Sequence, residues 1–224
     1  MHSLIRSQEI FNPVENPQRV TLVGAGAVGS RVFASLVELG IQNITVYDPD
    51  VTEEHNLGSQ LFNHADIGDL KVNGLLDWAN RKLGHSPPAS MKFHPDYVVP
   101  STKLVGTVFL MVDSLAERKK LFEACMVDNL DCPLVIDTRM AATHGNVIAC
   151  SPHEHATQYL ATLGSDEDAE VSACGSPFSV APTAAIIANL AVWKYIQFRT
   201  NPAALEHVTD IYLKPFILSS RNFT

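Results

Sequence analysis

The chain has 224 residues, of which 46% are hydrophobic and 18% are charged, so it is long enough to form one large domain with a substantial core. A formal net charge of −8 argues against nucleic acid as a partner, because a mostly negative surface repels backbone phosphates. No apolar run reaches the roughly 20 residues that span a bilayer, and the N-terminus lacks the apolar stretch of a signal peptide. We therefore expect a cytoplasmic protein with no membrane contact.

The first segment, residues 1–18, predicts a short N-terminal helix. Apolar residues recur there at helical spacing, with Arg6 among them, and two Asn-Pro pairs end the pattern. We expect this helix to pack on the domain or on a neighbouring subunit.

Residues 20–39 have the pattern of a strand, a glycine turn and a helix. The apolar run 20–23 leads directly into Gly24-x-Gly26-x-x-Gly29, and helical spacing continues to residue 39. The first glycine permits a tight turn, the second lets a phosphate approach the backbone, and the third lets the helix pack closely on the strand. This pattern predicts a nucleotide-binding turn.

A second predicted strand, 44–47, ends in a pair of acids, Asp48 and Asp50. Asp48 follows the last glycine at roughly the 20-residue spacing at which an acid reaches a ribose hydroxyl. Residues 20–50 thus predict a βαβ nucleotide-binding unit.

The remaining chain continues the alternation of strands and helices. Helices are predicted at 70–83, 115–127 and 181–198, and strands at 91–97, 104–112 and 134–136, before an extended stretch over 139–150 that turns at His144-Gly145. Residues 151–175 are polar, acidic and turn-rich, which predicts a long mobile loop, and 208–212 and 216–218 predict antiparallel edge strands. The whole, residues 1–224, predicts a single α/β domain with a Rossmann-like, doubly wound, mainly parallel sheet and antiparallel strands near the C-terminus.

Several predicted strands end in a residue suited to ligand binding. These residues are Gly24, Asp48, Asp113 and Asp137. Because the carboxyl ends of parallel strands share one edge of the sheet, we expect these positions to converge on one crevice.

The segment that follows the second strand carries a more specific pattern. In order, it contains Asp48-Pro49-Asp50, Asn56-Leu57-Gly58-Ser59-Gln60 and Asp66-Ile67-Gly68-Asp69-Leu70-Lys71. Farther along, Asp113-Ser114 is followed by Arg118. These motifs, in this order and spacing, resemble the adenylate-forming superfamily of ThiF, MoeB and the ubiquitin-activating enzymes, and the likeness runs from about Arg6 to Phe198.

The resemblance implies an ATP-dependent adenylyltransferase that activates the C-terminal carboxylate of a small ubiquitin-like or sulfur-carrier protein as an acyl-adenylate. In that reaction Lys71 would neutralise charge on the leaving pyrophosphate, and Asp113 would hold Mg²⁺, a hard cation that prefers carboxylate and phosphate oxygens. The alternative roles are a solvated surface lysine for Lys71 and a helix-capping aspartate for Asp113.

Further roles are implied for residues around the ATP site. Asp48 and Asp50 would meet ribose hydroxyls, and Asn56 and Gln60 would meet phosphate or ribose oxygens. Arg6 resembles an arginine that reaches into the ATP site of a partner subunit, which implies a homodimer.

Cys174 lies between the acidic loop and the last long helix, where several members of the superfamily present a cysteine to the activated carrier. A thioester or persulfide role is one interpretation, and a partly buried free thiol is the other. The four cysteines form no C-x-x-C pair, so the zinc-binding cysteine pairs common in the superfamily are absent.

One departure leaves the activity open. Ser59 stands where the superfamily has arginine, so either Arg31 substitutes for the missing charge or ATP turnover is weakened. The alternatives are therefore a catalytically degenerate binding subunit and, from the glycines alone, an NAD-dependent oxidoreductase, which would explain neither Lys71 nor Asp113.

Overall fold

The computed structural model describes residues 8–15, 19–164 and 180–224. Its strands are β1 (Val20–Val23), β2 (Ile44–Tyr47), β3 (Lys92–His94), β4 (Thr107–Leu110), β5 (Leu134–Met140), β6 (His144–Cys150), β7 (Val208–Leu213) and β8 (Phe216–Arg221). Its α-helices are α1 (Ala27–Glu38), α2 (Lys71–Leu83), α3 (Leu115–Cys125), α4 (Ala156–Ala161) and α5 (Ala181–Thr200).

Within these ranges the strands form one eight-stranded sheet in the order β3-β2-β1-β4-β5-β6-β7-β8. The strands from β3 to β5 are parallel, and β6, β7 and β8 are antiparallel to their neighbours. The predicted doubly wound sheet with antiparallel strands near the C-terminus is therefore confirmed. The direction of winding reverses between β1 and β4, which is where open α/β sheets bind ligands.

Helices cover both faces of the central parallel strands, which explains why β1 and β4 are buried at every position. Leu22 and Phe109 belong to a core shared with α1, α2 and α5, whereas Val23 and Val108 belong to a second core shared with α3 and α4. No helix in the described part of the chain is long and apolar enough to cross a bilayer.

Two predicted boundaries move for local reasons. β4 begins only at Thr107, because Gly106 has a φ of +80° and a Cβ there would lie 1.8 Å from the Arg19 carbonyl oxygen. The turn predicted at His144-Gly145 instead occupies residues 141–143, where the Ala141 N–H donates to the His144 carbonyl at 2.8 Å.

The helix predicted over residues 1–18 is wrong for residues 8–15, the part of this segment that the structure describes. Residues 8–15 form turns, because Pro13 interrupts the backbone and the Asn12 carboxamide accepts from the Val14 N–H at 3.1 Å. Phe11 still packs on the domain, with its ring centroid 5.8 Å from that of Tyr195. Residues 1–7 and 16–18 lie outside the described ranges.

The loop predicted over 151–175 is interrupted by α4 and is therefore only partly correct. The helix is fixed by Tyr159, which is fully buried and whose ring centroid lies 4.1 Å from that of Phe122 on α3. The sequence pattern missed α4 because six residues are too few to show helical periodicity. Residues 165–175 of the predicted loop lie outside the described ranges.

The C-terminal residues are held by ring stacking on His207. The rings of His207 and Phe223 stack at 4.9 Å, the Phe223 N–H donates to His207 Nδ1 at 3.1 Å, and the His155 ring lies 4.3 Å from that of His207. The accepting nitrogen must be unprotonated. Burial, then His155 and Lys194, lower the pKa of His207 below its ordinary value of 6.5, against an opposing effect of Glu154.

We expect the free energy of unfolding to decrease as the pH falls through about 6.5, because the unfolded chain then binds a proton that folded His207 resists. The contribution of neutral His207 is complete above that pH and is lost as the pH falls towards the lowered pKa. Urea unfolding across this range should show the slope, and His207→Asn should reduce it. An unchanged slope in the variant would assign the effect to other histidines.

Candidate functional site

A crevice of about 650 Å³ runs along the carboxyl ends of the strands. The predicted residues Gly24, Gly26, Asp48, Asp50, Gln60, Lys71 and Asp113 all line it. The convergence expected from the strand ends is thus observed for Gly24, Asp48 and Asp113, but not for Asp137, which lies within β5 and is fully buried against Arg118 and Arg139. The lining also extends over the antiparallel part of the sheet, to Asn146, Asp210 and Tyr212, which the sequence did not indicate.

The glycines of the β1–α1 turn have three different environments. Gly24 has a φ of +102°, and a Cβ there would lie 2.7 Å from the Met111 carbonyl oxygen. A Cβ on Gly29 would lie 2.1 Å from the Gly24 carbonyl oxygen, so the helix packs against the turn itself. A Cβ on Gly26 would meet no described atom within 4 Å and would enter open space in the crevice.

This difference predicts opposite outcomes for two alanine variants. Gly29→Ala should lower the free energy of unfolding by about 3 kcal/mol or more, because the obstacle is rigid backbone. Gly26→Ala should change it by less than about 1 kcal/mol but should weaken Mg-ATP binding, since the new methyl group occupies crevice space. Urea unfolding and calorimetry of both variants test this, and an equal loss of stability would contradict it.

Asp48 holds the glycine turn against the end of β2. Its Oδ2 accepts from the Ala25 N–H at 2.6 Å and its Oδ1 accepts from the Asp50 N–H at 2.9 Å. Burial raises the pKa of Asp48, and the hydrogen bonds from Ala25 and the charge of Lys71 oppose that shift. Asp48 therefore stabilises the turn through these two hydrogen bonds, and its contact with a ribose remains a prediction.

Lys71 is fixed at the start of α2 by Asp50. Its N–H donates to the Asp50 carbonyl at 2.9 Å, and its Nζ lies 2.7 Å from Asp50 Oδ2. The lysine side chain is only 9% exposed, whereas that of Asp50 is 57% exposed. Lys71 is therefore not a solvated surface lysine, and its ammonium group is held inside the crevice.

Asn56 and Gln60 differ in position. The Asn56 Oδ1 accepts from the Glu53 N–H at 2.9 Å and caps a 3₁₀ turn, Glu54–Gly58, and Asn56 is not among the residues that line the crevice. Gln60 does line the crevice, and its buried Oε1 has no hydrogen-bond partner among the described residues. A buried acceptor left unpaired is unfavourable, so Gln60 is suited to receive a donor from a ligand.

Asp113 follows β4 and is exposed in the crevice. Capping of α3 was the alternative role for Asp113. That cap is provided by Ser114, whose Oγ accepts from the Glu117 N–H at 3.2 Å. Arg118 fixes this segment by donating to the carbonyl groups of Leu110 and Val112 and to the buried carboxylate of Asp137. Arg118 thus has a structural role as an ion-pair partner of Asp137, and Asp113 lines the crevice.

Arg139 links the crevice to α4 and was missed by sequence reasoning. Its Nε donates to Asp137 Oδ2 at 2.8 Å, and its two terminal nitrogens donate to the carbonyl and hydroxyl oxygens of Thr162 at 2.7 and 2.8 Å. No spacing in the sequence could reveal it, because Thr162 lies far along the chain.

Arg31 lies beside Ser59, the position at which the resemblance implies an arginine. Its Nε donates to the Ser59 carbonyl oxygen at 3.2 Å, and Ser59 itself is buried. Neither residue lines the crevice. The structure therefore brings Arg31 to Ser59 but leaves its use as a substitute charge as a prediction.

Two predicted site residues, Arg6 and Cys174, lie outside the described ranges. The cysteines within those ranges are Cys125, Cys132 and Cys150, and all three are free and buried. Burial raises the pKa of each thiol, to about 12 for Cys132 and Cys150.

We therefore expect Cys132 and Cys150 to resist alkylation by iodoacetamide at pH 8, because the reactive species is the thiolate. Mass spectrometry of the native and the urea-unfolded protein would show which thiols react. Rapid native-state labelling of Cys150 would contradict the prediction.

The reversal of winding at β1 and β4, with a crevice beside it, defines the class of doubly wound α/β proteins that bind ligands at the strand ends. The ThiF family matches residues 14–221, and the chain belongs to this family.

Curated relatives are longer proteins. The chain is 32% identical over 78 residues to the NEDD8-activating enzyme E1 catalytic subunit of Dictyostelium discoideum, which is 34% of this chain and 18% of that protein. It is 27% identical over 128 residues to the DNA damage tolerance protein RHC31 of Saccharomyces cerevisiae, which is 57% of this chain and 35% of that protein. The chain thus matches about a third or less of each.

Solved structures share the fold at low identity. Escherichia coli MccB with ATP has a TM-score of 0.69 and 16% identity, covering 98% of this chain and 66% of that chain. The microcin C7 biosynthetic enzyme MccB in complex with N-formylated MccA has a TM-score of 0.72 and 16% identity, covering 98% of this chain and 67% of that chain. PaaA has a TM-score of 0.69 and 14% identity, covering 93% and 64%.

Proposed function

We propose that this protein is an ATP- and Mg²⁺-dependent adenylyltransferase that activates the C-terminal carboxylate of a peptide or a small ubiquitin-like or sulfur-carrier protein as an acyl-adenylate. Membership of the ThiF family supports the reaction class. The relative that activates NEDD8 and the MccB structures with ATP and with MccA support a nucleotide and a polypeptide as reactants.

The observation that carries the proposal is the position of Lys71. Its nearly buried ammonium group faces the same crevice as the glycine turn and Asp113. Hydride transfer to or from NAD requires no such cation, whereas displacement of pyrophosphate develops negative charge that a lysine stabilises.

The crevice fits ATP as a substrate. The open space at Gly26 leaves room for a phosphate against the backbone, and the N-terminus of α1 provides free N–H groups for it. The unpaired Oε1 of Gln60 offers an acceptor to a ribose hydroxyl.

The charges of the crevice wall fit a divalent cation. Lys71 already faces Asp50, and Arg118 and Arg139 both face Asp137, so the cations of the described wall are each paired with a carboxylate. The carboxylate of Asp113 makes no hydrogen bond or ion pair with any other described residue and is therefore available as a ligand. When bound there, Mg²⁺ supplies positive charge to the phosphate oxygens.

In the proposed reaction an oxygen of the substrate carboxylate attacks the α-phosphorus of ATP, and the bond from that phosphorus to the bridging oxygen breaks as pyrophosphate leaves. The glycine turn holds the phosphates, and Lys71 lies where charge develops on the leaving group. Asp50 fixes the ammonium group beforehand, so little reorganisation is needed during the reaction.

The proposal includes a homodimer in which Arg6 of one subunit reaches the ATP site of the other. It also includes Cys174 as the thiol whose thiolate attacks the carbonyl carbon of the acyl-adenylate, which forms a thioester as AMP leaves. Both parts rest on the resemblance to the superfamily. Cys174→Ser should leave pyrophosphate release intact and remove any covalent carrier adduct, as observed by intact-protein mass spectrometry.

Calorimetry of the purified protein with Mg-ATP, with ATP plus a chelator, and with NAD tests the proposed function. We expect saturable ATP binding that weakens at least about tenfold when Mg²⁺ is removed. Binding of NAD without ATP would overturn the proposal in favour of an oxidoreductase. Binding of neither nucleotide would favour the degenerate subunit.

A further inference from the structure

The crevice extends from the ends of β1 and β2 across the sheet to β6 and β7. Asp48, expected at the ribose, follows β2, whereas the far end of the crevice lies on β6 and β7, on the other side of β1. The strand β6 is three positions from β1, roughly 14 Å at the usual strand spacing. The far end therefore leaves room for a second reactant beside the expected position of the ribose.

The floor of the far end is one row of polar side chains. Arg139 on β5 pairs in register with Asn146 on β6, which pairs with Asp210 on β7, so the three side chains share a face. Arg139 is bound by Asp137, and Asp210 by Arg221. Both charged side chains of this row are thus already bound by a partner, and Arg139 shares Asp137 with Arg118.

Asn146 differs from its two neighbours in the row. Its Oδ1 is buried, and its carboxamide makes no hydrogen bond with any residue in the described ranges, although it lines the crevice. A carboxamide carries both a donor and an acceptor, as a main-chain peptide group does. A buried acceptor without a partner therefore fits a peptide group, which supplies an N–H donor, and not a carboxylate, which supplies none.

We infer that Asn146 binds a main-chain peptide group of the acyl substrate, shortly before its terminal carboxylate, and so selects a polypeptide C-terminus over a small free acid. The inference rests on the proposed adenylation and identifies a specificity residue of the same site. Asn146 takes no part in the reaction itself, because it lies away from the glycine turn and from Lys71.

Stable sulfamoyl-adenosine analogues of an acyl-adenylate test this without knowledge of the natural substrate. Three are compared by calorimetry: the acetyl, the octanoyl and the acetyl-glycyl-glycyl compound. The last two have acyl chains of equal length, but only the last contains peptide groups. We expect the wild type to bind the peptide-bearing analogue at least tenfold more tightly than the other two.

Asn146→Ala should reduce that preference to nearly one and leave the affinity for the acetyl analogue unchanged. Asn146→Asp, which keeps the shape but loses the donor, should also reduce it. Asn189→Ala, the same change on α5 outside the crevice, is the matched control and should keep the full preference.

Equal binding of the octanoyl and peptide-bearing analogues by the wild type overturns this inference alone. The inference is also overturned if Asn146→Ala weakens the binding of all three analogues by the same factor, since the role of the residue would then be structural. If the wild type binds no analogue at all, the proposed function fails and the inference fails with it.

Discussion

Replacing Asp113 by alanine is expected to lower the rate of pyrophosphate release by about 10³-fold, or about 4 kcal/mol of transition-state stabilisation. The carboxylate is exposed in the crevice and is not used by the fold, because Ser114 caps α3 and Arg118 holds the preceding strand end. Stability should therefore change by less than about 0.5 kcal/mol. Pyrophosphate release and urea unfolding of the same preparation measure both quantities.

Two controls separate loss of the metal from general damage. Asp113→Asn keeps the shape but removes the charge, and it should lose the Mg²⁺ dependence of ATP binding along with the activity. Asp128→Ala removes an exposed aspartate that does not line the crevice and should behave as the wild type. Unchanged turnover in Asp113→Ala would remove this residue from the mechanism.

Replacing Lys71 by methionine is expected to lower turnover by about 10²- to 10³-fold, the usual loss when one preorganised charge at a leaving group is removed. Methionine keeps the aliphatic contacts of the side chain and removes only the ammonium group. Because Asp50 is more than half exposed, the lost ion pair should cost less than about 1 kcal/mol of folding stability. Comparing the rate of pyrophosphate release with Mg-ATP affinity shows whether the lysine acts on binding or on the transition state.

Asp50→Asn is the informative partner variant. It leaves the ammonium group in place but removes the charge that holds it, so it should lose less activity than Lys71→Met. The double variant should then resemble Lys71→Met alone, because Asp50 acts through the lysine. A double variant with the summed losses would show that the two side chains act separately.

Features that depend on residues close together in the sequence could be predicted from it. The apolar run before Gly24, the helical spacing after it and the acids behind the second strand each depend on local backbone preferences. The same holds for the two C-terminal strands and for α2 and α5. Sequence reasoning failed where the local signal was weak, as in the turns of residues 8–15 and in the short helix α4.

The roles of individual polar groups were not readable in this way. Asn56 and Gln60 belong to the same short motif, yet one caps a turn and the other faces the crevice with an unpaired oxygen. Asp48 is recognisable as an acid near a glycine turn, but only the folded chain shows that its two oxygens bind the turn and the strand end.

The sequence by itself determined the order and type of most elements, the glycine turn after β1 and the edge of the sheet at which the candidate site residues collect. Only the tertiary structure decided which residues complete the site. It joined Arg139 to Thr162, paired Lys71 with Asp50 and placed Asn146 in the crevice floor. The reason is physical: periodicity and turn chemistry arise between near neighbours, whereas pairing across strands depends on which distant segments the fold brings together.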